Sequence, residues 1–175
     1  MNLSVCIITK NEKENLEKCL QALAGYDLEI VVADTGSTDG TLEMIRNYTG
    51  SVYEFTWCDD FAKARNFAIS KAVNDRILVL DSDEYVQKMD IKQIQSCFEQ
   101  FPEGIGKIRI KNYFYQKNEI QEEVEYINRL FDRRYYQYEG KIHEQLVRKD
   151  GESIQTYQAP VLICLLYTSP SPRDP

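Results

Sequence analysis

Short apolar runs alternate with stretches of helical period through the first half of the chain, and that alternation leaves few architectures open. LSVCIIT, residues 3–9, is apolar and rich in β-branched side chains, which suits a strand buried on both faces. Leu16, Cys19, Leu20 and Leu23 then recur at helical spacing, with Asn11 and Glu14 placed as a cap and its reciprocal partner and Gly25 beyond the last turn. The pattern continues through EIVVA (29–33), TLEMIRNY, SVYEF, FAKARNFAISKAV and RILVL (76–80), read in turn as strand, helix, strand, helix and strand. Repeated βα units predict an α/β fold with a mainly parallel sheet and helices on both faces. Farther on, Asp90 stands as the cap of a helix with Ile91, Ile94, Phe98 and Phe101 along one side. From Lys107 the texture turns alternating and aromatic, and KIRIKNYFY, EYINRLF and RYYQYEG predict antiparallel or mixed strands in a β-richer C-terminal part.

With 175 residues, 43% of them hydrophobic, the chain is sized for one domain with a sizeable core. Its 21 Lys+Arg against 28 Asp+Glu give a charge of −7, which repels phosphate backbones, so no nucleic acid is expected as a partner. No apolar run is long enough to cross a bilayer, and MNLSVCIITKNE lacks the basic start and cleavage site of a secretory signal. The expectation is a cytoplasmic protein, free or peripheral at the inner membrane face, with no integral membrane segment. The five cysteines, Cys6, Cys19, Cys58, Cys97 and Cys164, are odd in number and widely spaced, and read as small buried hydrophobes. LLYTSPSPRDP, with three prolines in its last six residues, has no periodicity. The expected domain is therefore residues 1–165, cut short at its C-terminal end. Residues 166–175 are expected to be a disordered tail, which resembles the translated read-through of a sequencing adapter.

ILVLDSDEYV, residues 77–86, carries four aliphatic side chains straight into four residues of which three are acidic. Two carboxylates about 5 Å apart at an effective dielectric near 20 repel by roughly 3 kcal/mol, so a positive group is expected beside them. In extended backbone Asp81 and Asp83 face one side and Ser82 the other. Paired oxygen ligands with positions left open suit Mg²⁺ or Mn²⁺ held jointly with substrate phosphates. The other reading is that DSDE caps the next helix or forms a solvated turn.

In open parallel sheets ligands bind beyond the carboxyl ends of the strands. TKNE brings Thr9, Lys10, Asn11 and Glu12 to that edge, and DTGSTDGT brings a glycine-rich, hydroxyl-bearing loop. Asp34 at its start either anchors a helix-capping loop or accepts a hydrogen bond from a nucleobase or ribose. In FAKARNFAISKA, Lys63, Arg65 and Asn66 fall in the early turns of a helix, where the dipole disfavours cations; either a phosphate or solvent answers that charge. His143, the only histidine, precedes Glu144 in GKIHEQL. In extended backbone these two face opposite ways, so both enter one site only if a turn intervenes.

With TKNE, DTGSTDGT, WCDDFAKARN and LDSDE in that order, the chain resembles the family 2 glycosyltransferases of the GT-A fold over residues 1–147. The resemblance implies a nucleotide-sugar donor, commonly a UDP-sugar, lying across the strand ends. It implies that Thr9, Asn11 and Glu12 form the first nucleotide-contacting loop, that Asp34 holds base or ribose, and that Arg65 contacts nucleotide and diphosphate. Asp81 and Asp83 become the D-x-D pair on the ribose and on a diphosphate-bound Mg²⁺ or Mn²⁺, which would supply the positive charge missing from ILVLDSDEYV. Transfer with inversion needs a base opposite the leaving diphosphate; Glu144 takes that role, and His143 completes the metal or diphosphate site. The acceptor would be a saccharide, a lipid-linked species or a peptide. One rival is a non-catalytic or truncated nucleotide-sugar-binding domain. The other is a haloacid dehalogenase-type phosphatase, whose D-x-D opens the first strand of its domain, whereas here three strands precede it and Glu84 follows.

Overall fold

The computed structural model describes residues 2–116 and 119–166. β1 (Leu3–Thr9) pairs in parallel with β2 (Glu29–Asp34) on one side and β4 (Arg76–Asp81) on the other, and β3 (Val52–Glu54) extends the parallel set beyond β2. Helices α1 (Lys13–Leu23), α2 (Thr41–Ile45) and α3 (Phe61–Lys71) connect these strands. Then follow β5 (Tyr85–Met89), α4 (Ile91–Gln100), β6 (Ile105–Gln116), β7 (Glu119–Asp132), β8 (Tyr136–Glu139), β9 (Gln145–Arg148) and β10 (Thr156–Leu166). The described strands form an eight-stranded sheet, in the order β3, β2, β1, β4, β7, β6, β10, β5, and a two-stranded ribbon of β8 and β9. The sheet is mixed: β7 runs antiparallel to β4 and β6, β10 is parallel to β6, and β5 is antiparallel to β10.

Successive side chains of a strand point to opposite faces, so β1 feeds two cores. Leu3, Val5 and Ile7 join Leu16, Leu20 and Ile94 on one face, while Cys6 joins Ala68, Ile69 and Phe131 on the other. Helices α1, α2 and α4 thus cover one face, and α3 with the β8–β9 ribbon covers the other, as the βα pattern predicts. Asp90 caps α4 as expected, accepting from the Gln93 backbone N–H at 3.0 Å.

Several local expectations differ from the structure. Asn11 does not cap α1: it lies in the left-handed region at φ 52°, Glu12 holds the cap position, and the Asn11 side chain instead accepts from Thr38 N–H at 2.7 Å. TLEMIRNY is helical only over Thr41–Ile45. Residues 85–89, to which the sequence pattern assigns no element, form β5 at the far edge of the sheet. Leu165 and Leu166, assigned to LLYTSPSPRDP, are the last residues of β10; the rest of that tail lies outside the described residues. Cys6, Cys19 and Cys164 are buried, but Cys97 is half-buried and Cys58 is exposed, so the buried reading fails for those two.

Phe131 is fully buried, edge-on to Tyr136 and Tyr138 at ring separations of 6.3 and 6.0 Å, and fixes the ribbon to the sheet. Phe131→Ala is expected to destabilise the fold by about 3–5 kcal/mol, read as a lowered urea midpoint.

Candidate active site

Register brings the polar strand ends to one rim. Thr9 is paired with Asp34 across β1 and β2, and Ile8 with Asp81 across β1 and β4. Ile8, Thr9 and Asp81 border a cleft of about 730 Å³ whose walls also include Glu12, Thr35, Asp83, His143 and Glu144, while Asp34 lies outside its lining. Trp57 and Phe61, packed edge-to-face at 4.9 Å, form an aromatic part of the lining.

Beneath the rim lies a buried charge cluster. Arg65 donates from Nη2 to Asp81 Oδ1 at 2.7 Å and from Nε to Glu144 Oε1 at 2.6 Å. Arg129 reaches the other Asp81 oxygen, Oδ2, at 2.9 Å and Glu84 Oε1 at 3.4 Å. The backbone N–H of Asp81 donates to Glu84 Oε2 at 2.8 Å. The positive charge that ILVLDSDEYV requires is therefore present in the chain as two guanidiniums, where the sequence pattern suggested a metal ion. Burial pushes the Asp81 carboxyl up, but Arg129 and Arg65 outweigh it and hold it well below the usual carboxylate range. Burial dominates at Glu84, pushing its carboxyl up to about 7 despite Arg129.

Arg129 owes its aim to a break in strand register. Gly106 pairs with Leu130 and Lys107 with Asn128, so β7 holds one extra residue, Arg129, at that point. A bulge of this kind redirects one side chain without disturbing the pairing on either side. Arg65 is directed by α3, whose cap Asp60 accepts from Lys63 N–H at 3.0 Å. Asn66 exchanges two 2.9 Å hydrogen bonds with the Tyr138 backbone and locks α3 to β8.

The structure places the expected residues unequally. The Arg65 guanidinium pairs with two carboxylates of the chain, Asp81 and Glu144, while the Lys63 side chain is exposed. Both Asp34 oxygens are engaged in its own loop, by Gly36 and Ser37, so its carboxylate anchors the DTGS turn. Asn11 links TKNE to the same loop, donating to Ser37 Oγ at 2.9 Å. Asp81 and Asp83 are not two positions of an extended strand: β4 ends at Asp81 and the Glu84 N–H returns to the Asp81 carbonyl at 3.1 Å, closing a turn. His143 lies at φ 57°, and this break in the extended path lets both His143 and Glu144 border the cleft. Among the described residues no three His, Cys, Asp or Glu side chains cluster to hold a metal ion by themselves, so Asp81, Asp83 and His143 do not form such a set. Sequence reading passed over Arg129 and the structural role of Glu84. The available signal was an arginine inside the apolar run INRLF, a charge that a sheet buries only with a partner.

Residues 4–153 match the family model for glycosyl transferase family 2. The chain belongs to that family. It is 37% identical over 104 residues, 59% of its length, to a TPR repeat-containing protein of Synechococcus elongatus, and covers 26% of that protein. It is 28% identical over 121 residues, 63% of its length, to the poly(ribitol-phosphate) beta-N-acetylglucosaminyltransferase TarS of Staphylococcus aureus, covering 21% of it. The chain thus spans about a quarter or less of these curated relatives, at 26% and 21%. The crystal structure of TarS superposes with a TM-score of 0.58 at 27% identity, over 66% of this chain and 23% of that one. A TarS fragment in complex with UDP-GlcNAc gives 0.57 at 28% identity, over 64% of this chain and 35% of that one. This family 2 chain has the GT-A fold of those enzymes, and no helix among its described residues is long and apolar enough to cross a membrane.

Removing one partner from a buried ion network leaves the others uncompensated. Arg129→Ala is accordingly expected to lower stability by about 3–5 kcal/mol in urea unfolding.

Proposed function

We propose that the chain transfers a sugar, with inversion, from a UDP-sugar bound in the rim cleft to an acceptor nucleophile. The observation that carries this reading is the convergence of three strand ends and the HisGlu turn on one cleft. There Asp81, Asp83, Arg65 and Glu144 meet the same space. The match to TarS, whose fragment structures include complexes with UDP and UDP-GlcNAc at 28% identity, supports a UDP-linked donor.

Thr9 and Glu12 border the nucleotide end, and Asn11 and Asp34 hold the two loops that frame it. Asp83 lines the cleft one turn beyond the clamped Asp81, and its carboxylate suits Mg²⁺ or Mn²⁺. Such ions are commonly held by one or two carboxylates together with substrate phosphates, so Asp83 fits without an all-protein cage, beside an Asp81 whose two oxygens already accept from Arg65 and Arg129. Asp83 would hold such a cation at the diphosphate, where it would supply Lewis-acid neutralisation of the leaving group's charge. His143 is assigned to the cation or the diphosphate. Glu144, oriented by Arg65 through Oε1, keeps Oε2 for the acceptor proton.

Asp83→Ala is expected to abolish the divalent-dependent part of UDP affinity, measured by titration calorimetry with and without EDTA; equal affinity in all four conditions would refute the assignment. Glu144→Gln should retain UDP binding while UDP release from a turned-over donor falls by about 10²–10⁴-fold. Metal-dependent binding with no turnover in the wild type would mark a nucleotide-sugar-binding domain instead.

A further inference from the structure

A second cavity, of about 410 Å³, adjoins the first beneath the β8–β9 ribbon. Arg65, Arg129 and Glu144 border both cavities. Of these three, the two guanidiniums cannot take up a proton, whereas a carboxylate can. A base that deprotonates an acceptor beside a bound donor must border both ligands. We propose that the second cavity is the acceptor subsite, and that it takes a hydroxyl-bearing acceptor carrying an anionic group, of the class of phosphorylated polyols. The inference rests on the donor and base assignments made for the rim cleft.

Charge argues for the anionic group. Lys107 borders the cavity, and Lys107, Arg109 and Lys111 alternate along β6 with Ile108 and Ile110, which are buried in the first core. The three cations therefore share the opposite face of the strand, the face on which the cavity opens. Lys111 is paired with Glu122 at 3.1 Å, while Lys107 and Arg109 make no ion pair among the described residues. In a chain of net charge −7, such a row is a local reversal of sign.

Polar satisfaction argues for hydroxyls. Arg65 Nη1, Asn128 Oδ1 and Tyr138 Oη are buried without a hydrogen-bond partner among the described residues, and all three residues border this cavity. Arg65 and Tyr138 are themselves only 7% and 6% exposed. Buried polar groups ordinarily find partners. Orphans of both kinds, donor and acceptor, suit a ligand whose hydroxyls do both. Tyr126, 48% exposed at the mouth, adds an aromatic surface for the carbon skeleton.

The test titrates the UDP-loaded chain with glycerol 3-phosphate, with glycerol and with inorganic phosphate, so that the donor's phosphate position is already filled. Glycerol 3-phosphate is expected to bind at least about tenfold more tightly than either fragment. Lys107→Glu should erase that preference while leaving UDP affinity as in the wild type. Equal binding of glycerol 3-phosphate and glycerol, or a preference that survives Lys107→Glu, overturns the inference while UDP binding stands. Failure of UDP itself to bind the wild type would take down the donor assignment, and this one with it.

Discussion

The clamp on Asp81 is the constraint on which the rest of the site depends. One carboxylate at the end of a central strand receives a guanidinium on each oxygen, from α3 on one side and from β7 on the other. Each arginine then passes a contact onward, Arg65 to Glu144 and Arg129 to Glu84. Elements that are far apart in sequence are thereby tied to a single point. Desolvating such a group is unfavourable unless every charge finds a partner, so the cluster tolerates little freedom in where α3, β7 and the HisGlu turn sit.

That rigidity has a chemical use. Transition-state stabilisation by fixed charges is effective because the groups need no reorganisation when charge moves. Here the end of the cleft where Asp83 stands adjoins a network whose guanidiniums and carboxylates are already paired with one another. Glu144 is held by Arg65, and its orientation is inherited from α3, whose own position is set by Asp60 and by the Asn66 bonds to Tyr138.

Much of the architecture was legible in the sequence because burial on both faces leaves a strong mark. LSVCIIT, EIVVA and RILVL are strands in the structure, and Leu16, Cys19, Leu20 and Leu23 do form the buried side of a helix. The motifs TKNE, DTGSTDGT and LDSDE reach one rim as the parallel-sheet rule requires. What was illegible depends on pairing at a distance. β5 has no local signature because its partner β10 lies near the end of the described chain. The bulge at Arg129 is a register shift between two strands, invisible in either alone. The extended reading of Asp81 and Asp83 failed because Glu84 folds back on the strand end, a contact made possible only by its burial beside Arg129.

The position of β5 bears on how the molecule is assembled. The segment leaving the acidic turn crosses to the far edge of the sheet, where Tyr85 faces Cys164 and Met89 faces Val161. Until Thr156–Leu166 has been synthesised, this edge strand has no ladder to join, and the exit of the turn that carries Asp83 is tethered on one side only. Contacts between segments so remote close late, since loop closure must precede their reward. On the ribosome, the acidic turn would therefore take its final position with β10, the last strand among the described residues, and not when the turn itself is synthesised.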